Sequence, residues 1–293
     1  MSHKGDIRIG ISGWRYVPWR GKFYPEDLPQ RQELEYASQQ FRSIEINGTF
    51  YALQKPESFQ KWHDQTPDDF VFSIKGNRYL THVTRLSEPE GPLANFMASG
   101  VLKLGKKLGP FLWQFPPSFQ YDEGKMEHFF SLLPHDTEAA SRIAHHREEK
   151  MKGRCALTAP EFHRLRHAVE IRHKTFENET FIEQLRRHHI AIVVADTAGK
   201  WPVIEDVTAE FVYVRLHGDQ ELYVSGYTDA ALTEWRRKIH RWSLGGSPAG
   251  AHLLTPAPPP EAKGRDVFVY FDNDVKVKAP ENARELIQRL KKV

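Results

Sequence analysis

Ala168-Val169-Glu170-Ile171-Arg172 is the run on which the architecture turns. Successive side chains of a strand point to opposite faces, so Val169 and Ile171 share one face while Glu170 and Arg172 share the other. Seven further runs also end in polar residues: Arg8-Ile9-Gly10-Ile11-Ser12, Ser43-Ile44-Glu45-Ile46-Asn47, Val71-Phe72-Ser73-Ile74-Lys75, Leu112-Trp113-Gln114, Ile192-Val193-Val194-Ala195-Asp196, Tyr213-Val214-Arg215-Leu216-His217 and Phe268-Val269-Tyr270-Phe271-Asp272. One apolar and one polar face on each of eight strands predicts a closed barrel wrapped in helices. The polar groups of all eight then converge in one mouth.

Helical patterns separate most of these strands, which favours parallel pairing. They fall at residues 31–40, 56–65, 93–108, 123–133, 180–189 and 229–243, the last with Asp229 as its expected cap. Pro280 sits where a first helical turn accepts it, ahead of Ala283, Leu286, Ile287 and Leu290. Residues 138–158 are polar and mixed in charge, and read as a helical insertion beside the fifth strand. Residues 245–265 are rich in Gly and Pro and read as a flexible, poorly packed loop. With no repeat and no second core, the reading is one α/β domain over residues 1–293, a (β/α)8 barrel with a polar C-terminal mouth.

Composition excludes several classes. A chain of 293 residues with 40% hydrophobic and 27% charged residues is that of a soluble globular protein. No apolar run reaches the length of a membrane span. Residues 1–6 are polar and offer no signal-peptide core. Cys155 is the single cysteine, which fits a reducing, cytoplasmic setting. A net charge of +3 does not demand a nucleic-acid or membrane partner.

The familiar motifs are missing. There is no Gly-x-Gly-x-x-Gly, no phosphate loop, no His-Glu-x-x-His, no paired-cysteine motif and no Gly-x-Ser-x-Gly elbow. His163 and His167 stand four apart, but His167 opens the fifth strand, at the end away from the mouth. A structural role is favoured over a metal pair.

The mouth carries the chemistry. Glu45, Glu170, Asp196 and Asp272 are its carboxylates, Lys75, Arg172 and Arg215 its cations, and His217 its titrating group. Ser12, Asn47, Gln114 and Asn273 add neutral donors and acceptors. Charges inside a barrel are costly unless paired, so a register-fixing ion-pair network is the plain alternative for any one of them. Function is expected for the ring as a whole, because barrel sites lie at that end. Three cations among the acids argue against a metal cage, which wants uncompensated oxygen ligands. No cofactor is expected, with a divalent metal the alternative that the acids leave open. Aromatic residues crowd the neighbouring loops: Trp14, Tyr16, Trp19, Phe23, Tyr24, Phe50, Tyr51, Tyr223 and Tyr227. Flat rings beside a polar mouth suit a sugar or a nucleobase. Phe23, Tyr24 and Phe50 are read as packing, Trp14 and Tyr227 as candidates to face a ligand.

These same residues carry a resemblance. Gly13-Trp14, Trp19-Arg20-Gly21-Lys22-Phe23-Tyr24-Pro25, Glu45-Ile46-Asn47-Gly48-Thr49-Phe50-Tyr51, Gln114-Phe115-Pro116, Glu170-Ile171-Arg172-His173, Tyr213-Val214-Arg215-Leu216-His217-Gly218 and Phe271-Asp272-Asn273-Asp274 occur in order along the chain. In them it resembles the domain of unknown function 72 family, also called the YecE-like family. The resemblance implies a TIM-barrel-like fold and carries no established activity. Phe271-Asp272-Asn273 stands where Phe-Asn-Asn is common in that family.

The expectation is an acid–base enzyme acting on a small polar, anionic sugar- or nucleotide-like ligand. Hydrolase, lyase and isomerase chemistry all stay open. Glu170 and Asp196 are its acid and base, His217 a proton shuttle, and Lys75, Arg172 and Arg215 its anion clamps. Trp14, Glu45, Asn47, Gln114, Tyr227, Asp272 and Asn273 complete the binding set. The rivals are a divalent-metal-dependent hydrolase or isomerase, and a non-catalytic protein that binds nucleic acid or another protein. The last would use Lys103, Lys106, Lys107, Arg236, Arg237 and Lys238, and no membrane partner is expected.

Overall fold

The computed structural model describes residues 4–291; Met1 to His3, at the head of the polar N-terminus, lie outside them. Eight strands close a barrel: β1 (Ile7–Ser12), β2 (Ser43–Ile46), β3 (Val71–Lys75), β4 (Leu108–Gln114), β5 (His167–Glu170), β6 (Ile190–Asp196), β7 (Phe211–Leu216) and β8 (Asp266–Phe271). Every pairing is parallel, and β8 returns to β1 with Gly10 opposite Tyr270. Closure removes the two exposed edges that an open sheet would leave. Strand parity divides the core. Ile9, Ile11, Ile44, Ile46, Phe72, Ile74, Trp113 and Val169 face the helices. Leu112, Ala168, Ala191, Val193, Ala195, Phe211, Tyr213, Phe268 and Tyr270 fill the barrel. Gly10 lets β2 come close, since a Cβ there would lie 1.8 Å from the Ser43 carbonyl oxygen.

The helices are α1 (Glu33–Gln40), α2 (Gly48–Tyr51), α3 (Pro56–Asp64), α4 (Glu90–Ala98), α5 (Glu123–Leu132), α6 (Thr137–His145), α7 (Glu179–Arg187), α8 (Asp229–Ser243) and α9 (Lys278–Lys291). Among the described residues, no helix is long and apolar enough to cross a membrane. The helix expected at 93–108 is two pieces. α4 ends before Gly100, whose φ of 109° no L side chain adopts comfortably, and a 3-10 segment, Val101–Lys107, follows. The cap of α8 is Thr228, whose hydroxyl accepts from the Ala231 N–H at 3.2 Å, and not Asp229. Asp229 sits one residue later, where its charge still suits the helix N-terminus.

Residues 138–158 are helical in their first part only. Asp136 caps α6 by accepting from the Ala139 N–H at 2.7 Å, and a 3-10 turn follows at Glu149–Met151. Asn95 of α4 holds the exit of that stretch: its side chain donates to Glu148 Oε2 at 2.5 Å and accepts from the Glu148 N–H at 2.9 Å. Residues 245–265 contain no helix or strand, as their Gly and Pro content predicts. They are anchored at a few points, and most of their residues stay exposed or half-buried. Thr255 and Arg265 are buried. Glu205 and Asp206 accept from the backbone N–H groups of His252 and Leu254 at 2.9 and 2.8 Å. The Arg265 guanidinium donates to the carbonyl oxygens of Gly245 and Pro260. Backbone polarity that turn residues cannot pair among themselves is paired here by Glu205 and Asp206 from outside the loop and by Arg265 at its end.

Candidate active site

Alternation along β7 aims Tyr213, Arg215 and His217 into the barrel, and Arg215 sits at its centre, fully buried. Nη1 donates to Glu170 Oε2 at 2.6 Å, and Nη2 to Glu45 Oε1 at 2.8 Å and Asp272 Oδ2 at 2.9 Å. One guanidinium therefore bridges carboxylates from β2 and β5 and the residue that follows β8. It fills the position between three acids that a divalent ion would need. Among the described residues, no group of His, Cys, Asp and Glu has the arrangement of a metal cage.

Deeper in the barrel, Glu45 Oε1 accepts from the Ser12 hydroxyl at 2.7 Å and Oε2 from the Tyr213 hydroxyl at 2.6 Å. Tyr213 also shares a hydrogen bond with Ser73 at 2.6 Å, and Tyr270 one with Ser43 at 2.7 Å. Both oxygens of Glu45 are thus taken up, and the polar ring passes downward into a paired interior. Above it, Glu170 Oε1 accepts from Arg172 Nε at 2.8 Å. The Arg172 guanidinium lies 3.9 Å from the Trp201 ring centre and donates from Nη2 to the Tyr223 hydroxyl at 3.2 Å. Tyr223 holds a φ of 64°, uncommon for a bulky residue and found here at the mouth.

Of the charged groups expected at the mouth, Glu45, Lys75, Glu170, Arg172, Arg215 and Asp272 come together. However, Glu45, Glu170 and Arg215 are closed off from solvent, whereas Lys75 is 9% exposed, Arg172 11% and Asp272 14%. Arg215 is consequently not free to clamp a ligand, because its partners are the protein's own acids. The cations that touch solvent in this cluster are Lys75 and Arg172. Lys75 forms no ion pair among the described residues, and its Nζ lies 4.4 Å from the centre of the Phe50 ring. Phe50, read from the sequence as packing, is this floor.

Titration follows from the same layout. Burial alone would raise Glu170, but Arg172, Arg215, His217 and Lys75 together hold its carboxyl well below the usual range. Burial would likewise raise Asp272, yet Arg215 and His217 bring it down to about 2. Asp274 goes the other way: burial, with Asp272 beside it, pushes it well above the carboxylate range. Burial, then the Arg215 charge, lowers the Lys75 ammonium to about 8 against the pull of the carboxylates. His82 is held down at about 4 by burial and then by Lys75, Arg172 and Arg78, so it is neutral at pH 7. Its Nδ1 pairs with Thr81 Oγ1 at 2.8 Å, its Nε2 stands 3.5 Å from Gln114 Nε2, and its ring meets Phe50 edge-on at 5.0 Å.

Asp196, Tyr227 and Asn273 do not join the mouth. In β6 the inward residue beside Arg215 is Ala195, so Asp196 falls on the helix side with Ile192 and Val194. There it hydrogen-bonds Tyr227, and burial raises its pKa. Tyr227 packs against Phe271 and accepts from the Gly218 N–H at 3.1 Å. Asn273 donates to the Ser225 carbonyl at 2.9 Å and to Asn282 Oδ1 at 3.2 Å, tying the last loop to α9. His217 is inside but fully buried, with Nδ1 3.0 Å from Asp272 Oδ2. Gln114 is buried beside His82. Trp14 and Asn47 line a separate cleft of about 390 Å³ with Tyr16, Tyr51 and Trp62. His167 accepts from the Trp113 indole at 3.1 Å and pairs through Nε2 with the Pro134 carbonyl oxygen at 2.7 Å, while His163 reaches the Leu108 carbonyl oxygen. Both are structural, as their position in the sequence implied.

The sequence reading left out His82 and Trp201 as site residues. His82 lies in a π-helical turn, Tyr79–Val83, a geometry that no periodicity announces. Trp201 follows β6, at the barrel end where loops carry function, and that placement was the available signal. Of the bases read as a possible binding surface, Lys107 is buried and donates to the carbonyl oxygens of His63 and Thr66, and Lys106, Arg237 and Lys238 face Glu161, Glu234 and Glu205.

Residues 8–293 match the family described as protein of unknown function DUF72. The chain belongs to the DUF72 family. A DUF72 protein from Thermotoga maritima superposes with a TM-score of 0.72 at 25% identity, over 98% of this chain and 99% of that one. Another from Enterococcus faecalis gives 0.67 at 17% identity, over 97% and 95%. Among curated relatives, the UPF0759 protein YunF of Bacillus subtilis is 22% identical over 97% of this chain and 94% of its own length. The UPF0759 protein YecE of Escherichia coli is 29% identical over 140 residues, about half of each chain.

Proposed function

We propose that this DUF72 protein is an acid–base enzyme acting at the barrel mouth on a small polar, anionic ligand of the sugar-phosphate or nucleotide class. The observation that carries this reading is the separation of charge in the mouth. Arg215 neutralises the buried acids, while Lys75 and Arg172, which keep a little exposure, lie near the neutral imidazole of His82. Arg172 presents a guanidinium already oriented by Glu170 and Trp201, so little freedom is lost when an anion binds. Glu170 and His217 then act on the ligand through the groups they orient. A carboxylate held so far below neutrality is a weak base, and His82 takes the proton-accepting role instead. The half-buried lone Cys155 supports a reducing, cytoplasmic setting.

Calorimetry with sulfate, glucose 6-phosphate and adenosine monophosphate, against manganese chloride, tests it. Binding of at least one phosphate compound, weakened about tenfold or more by Arg172→Met, is expected. Tight manganese binding lost on Glu170→Gln, with no anion bound, would instead make this a metal-dependent enzyme.

A further inference from the structure

Lys75 is the mouth group whose surroundings the charge network does not explain. The other two cations each touch carboxylate oxygens within 3 Å, at 2.6 to 2.9 Å for Arg215 and 2.8 Å for Arg172. Lys75 stands among the same acids without an ion pair of its own. Its backbone is fixed, because the Thr49 hydroxyl donates to the Lys75 carbonyl oxygen at 2.6 Å. Its amine and the His82 ring both contact Phe50, at 4.4 and 5.0 Å from that ring's centre. A lysine kept for charge alone would gain from the Phe50 face, which attracts an ammonium, but would be expected to pair with a neighbouring carboxylate as Arg172 and Arg215 do. A lysine kept as a nucleophile leaves the carboxylates to the arginines, is desolvated so that its lone pair is freed, and has a neutral imidazole near it that can carry a proton.

We propose that Lys75 forms an imine with the carbonyl carbon of an aldehyde, ketone or 2-oxo acid whose anionic group Arg172 holds. The inference rests on the anionic-ligand reading above and narrows the substrate to a carbonyl compound. The neutral amine attacks the carbonyl carbon, a C–N bond forms, and the carbonyl π pair moves to oxygen. His82 relays the surplus proton from nitrogen to that oxygen, giving a carbinolamine. The protonated imidazole gives the hydroxyl a proton, so that it leaves as water while the nitrogen lone pair closes the C=N bond, and the remaining N–H proton returns to His82 to leave the neutral imine. Amine and carbonyl become imine and water, and no oxidant or reductant takes part. The depressed Lys75 ammonium keeps an appreciable neutral fraction near pH 8, where a free lysine side chain in water is almost wholly charged.

Reductive trapping with cyanoborohydride tests this on the full chain. The carbonyl probes are formaldehyde, pyruvate, glyoxylate and glyceraldehyde 3-phosphate, read by intact mass and peptide mapping. The expected result is modification of Lys75 at least tenfold faster than of Lys103 near pH 7.5. Trapping should rise with pH through about 8, disappear in Lys75→Arg, and slow about a hundredfold in His82→Gln. Modification spread over surface lysines with no excess at Lys75, or the same total in Lys75→Arg, overturns the proposal. If that happens while calorimetry still finds an anion bound through Arg172, the imine alone falls. If no anion binds either, both readings fall.

Discussion

Arg215 shows what a single residue does here. Its guanidinium is the counter-charge to three carboxylates that are nearly or wholly sealed from water. Replacing it leaves those charges unpaired, so Arg215→Met is expected to lower stability by about 3 to 5 kcal/mol in urea denaturation. A loss below about 1 kcal/mol would mean that water or protons compensate the acids as well as the guanidinium does. Lys75 makes the second residue-scale prediction. Its ammonium, near 8 rather than 10.5, carries charge below pH 8 and loses it above. Affinity for sulfate, whose own charge is constant there, should fall as pH rises through 8 and show no such fall in Lys75→Met. A profile unchanged by that substitution would assign the dependence to another group. For folding the sign is opposite: between about 8 and 10.5 the unfolded chain binds more protons, so the stability penalty of burying Lys75 fades as pH rises.

At the scale of elements, the connection of residues 245–265 is tied down at a few points despite its Gly and Pro content. Arg265, buried, reaches back to carbonyl oxygens at both ends of it. Arg265→Met should orphan those oxygens, cost about 2 kcal/mol and open residues 246–262 to protease. Unchanged cleavage there would show that the anchors at His252 and Leu254 suffice. The strands were legible because period-2 alternation is a local property, whereas the caps of α5, α6 and α7, Asp122, Asp136 and Asn178, were not named from the sequence. The break at Gly100 was not, since an apolar run of helical spacing continues through it and a glycine inside such a run is often tolerated.

Across the whole molecule, the mouth network ties β1, β2, β5 and β7 and the end of β8 into one closed ring. Its acids make barrel closure depend on pH. Glu170 and Asp272 are held below their ordinary values of 4.5 and 3.8, Asp272 to about 2, so their contribution is complete above pH 5 and is lost as pH falls toward 2. Circular dichroism should show cooperative acid unfolding across that window, shifted in Glu170→Gln; a flat response would mean the network adds nothing net to stability. Alternation, helix spacing and turn residues are local properties, and they were enough for eight strands, their order, a closed parallel barrel and a mouth built around Glu45, Lys75, Glu170, Arg172, Arg215 and Asp272. Which of those groups meets a ligand depends on distances between residues far apart in the chain. Packing alone sets Arg215 among three acids, leaves Lys75 without one, brings Trp201 and His82 to the rim and turns Asp196 toward the helices. Charge in a low-dielectric interior is governed by its nearest neighbours, and nearest neighbours across a barrel come into being only when the chain closes.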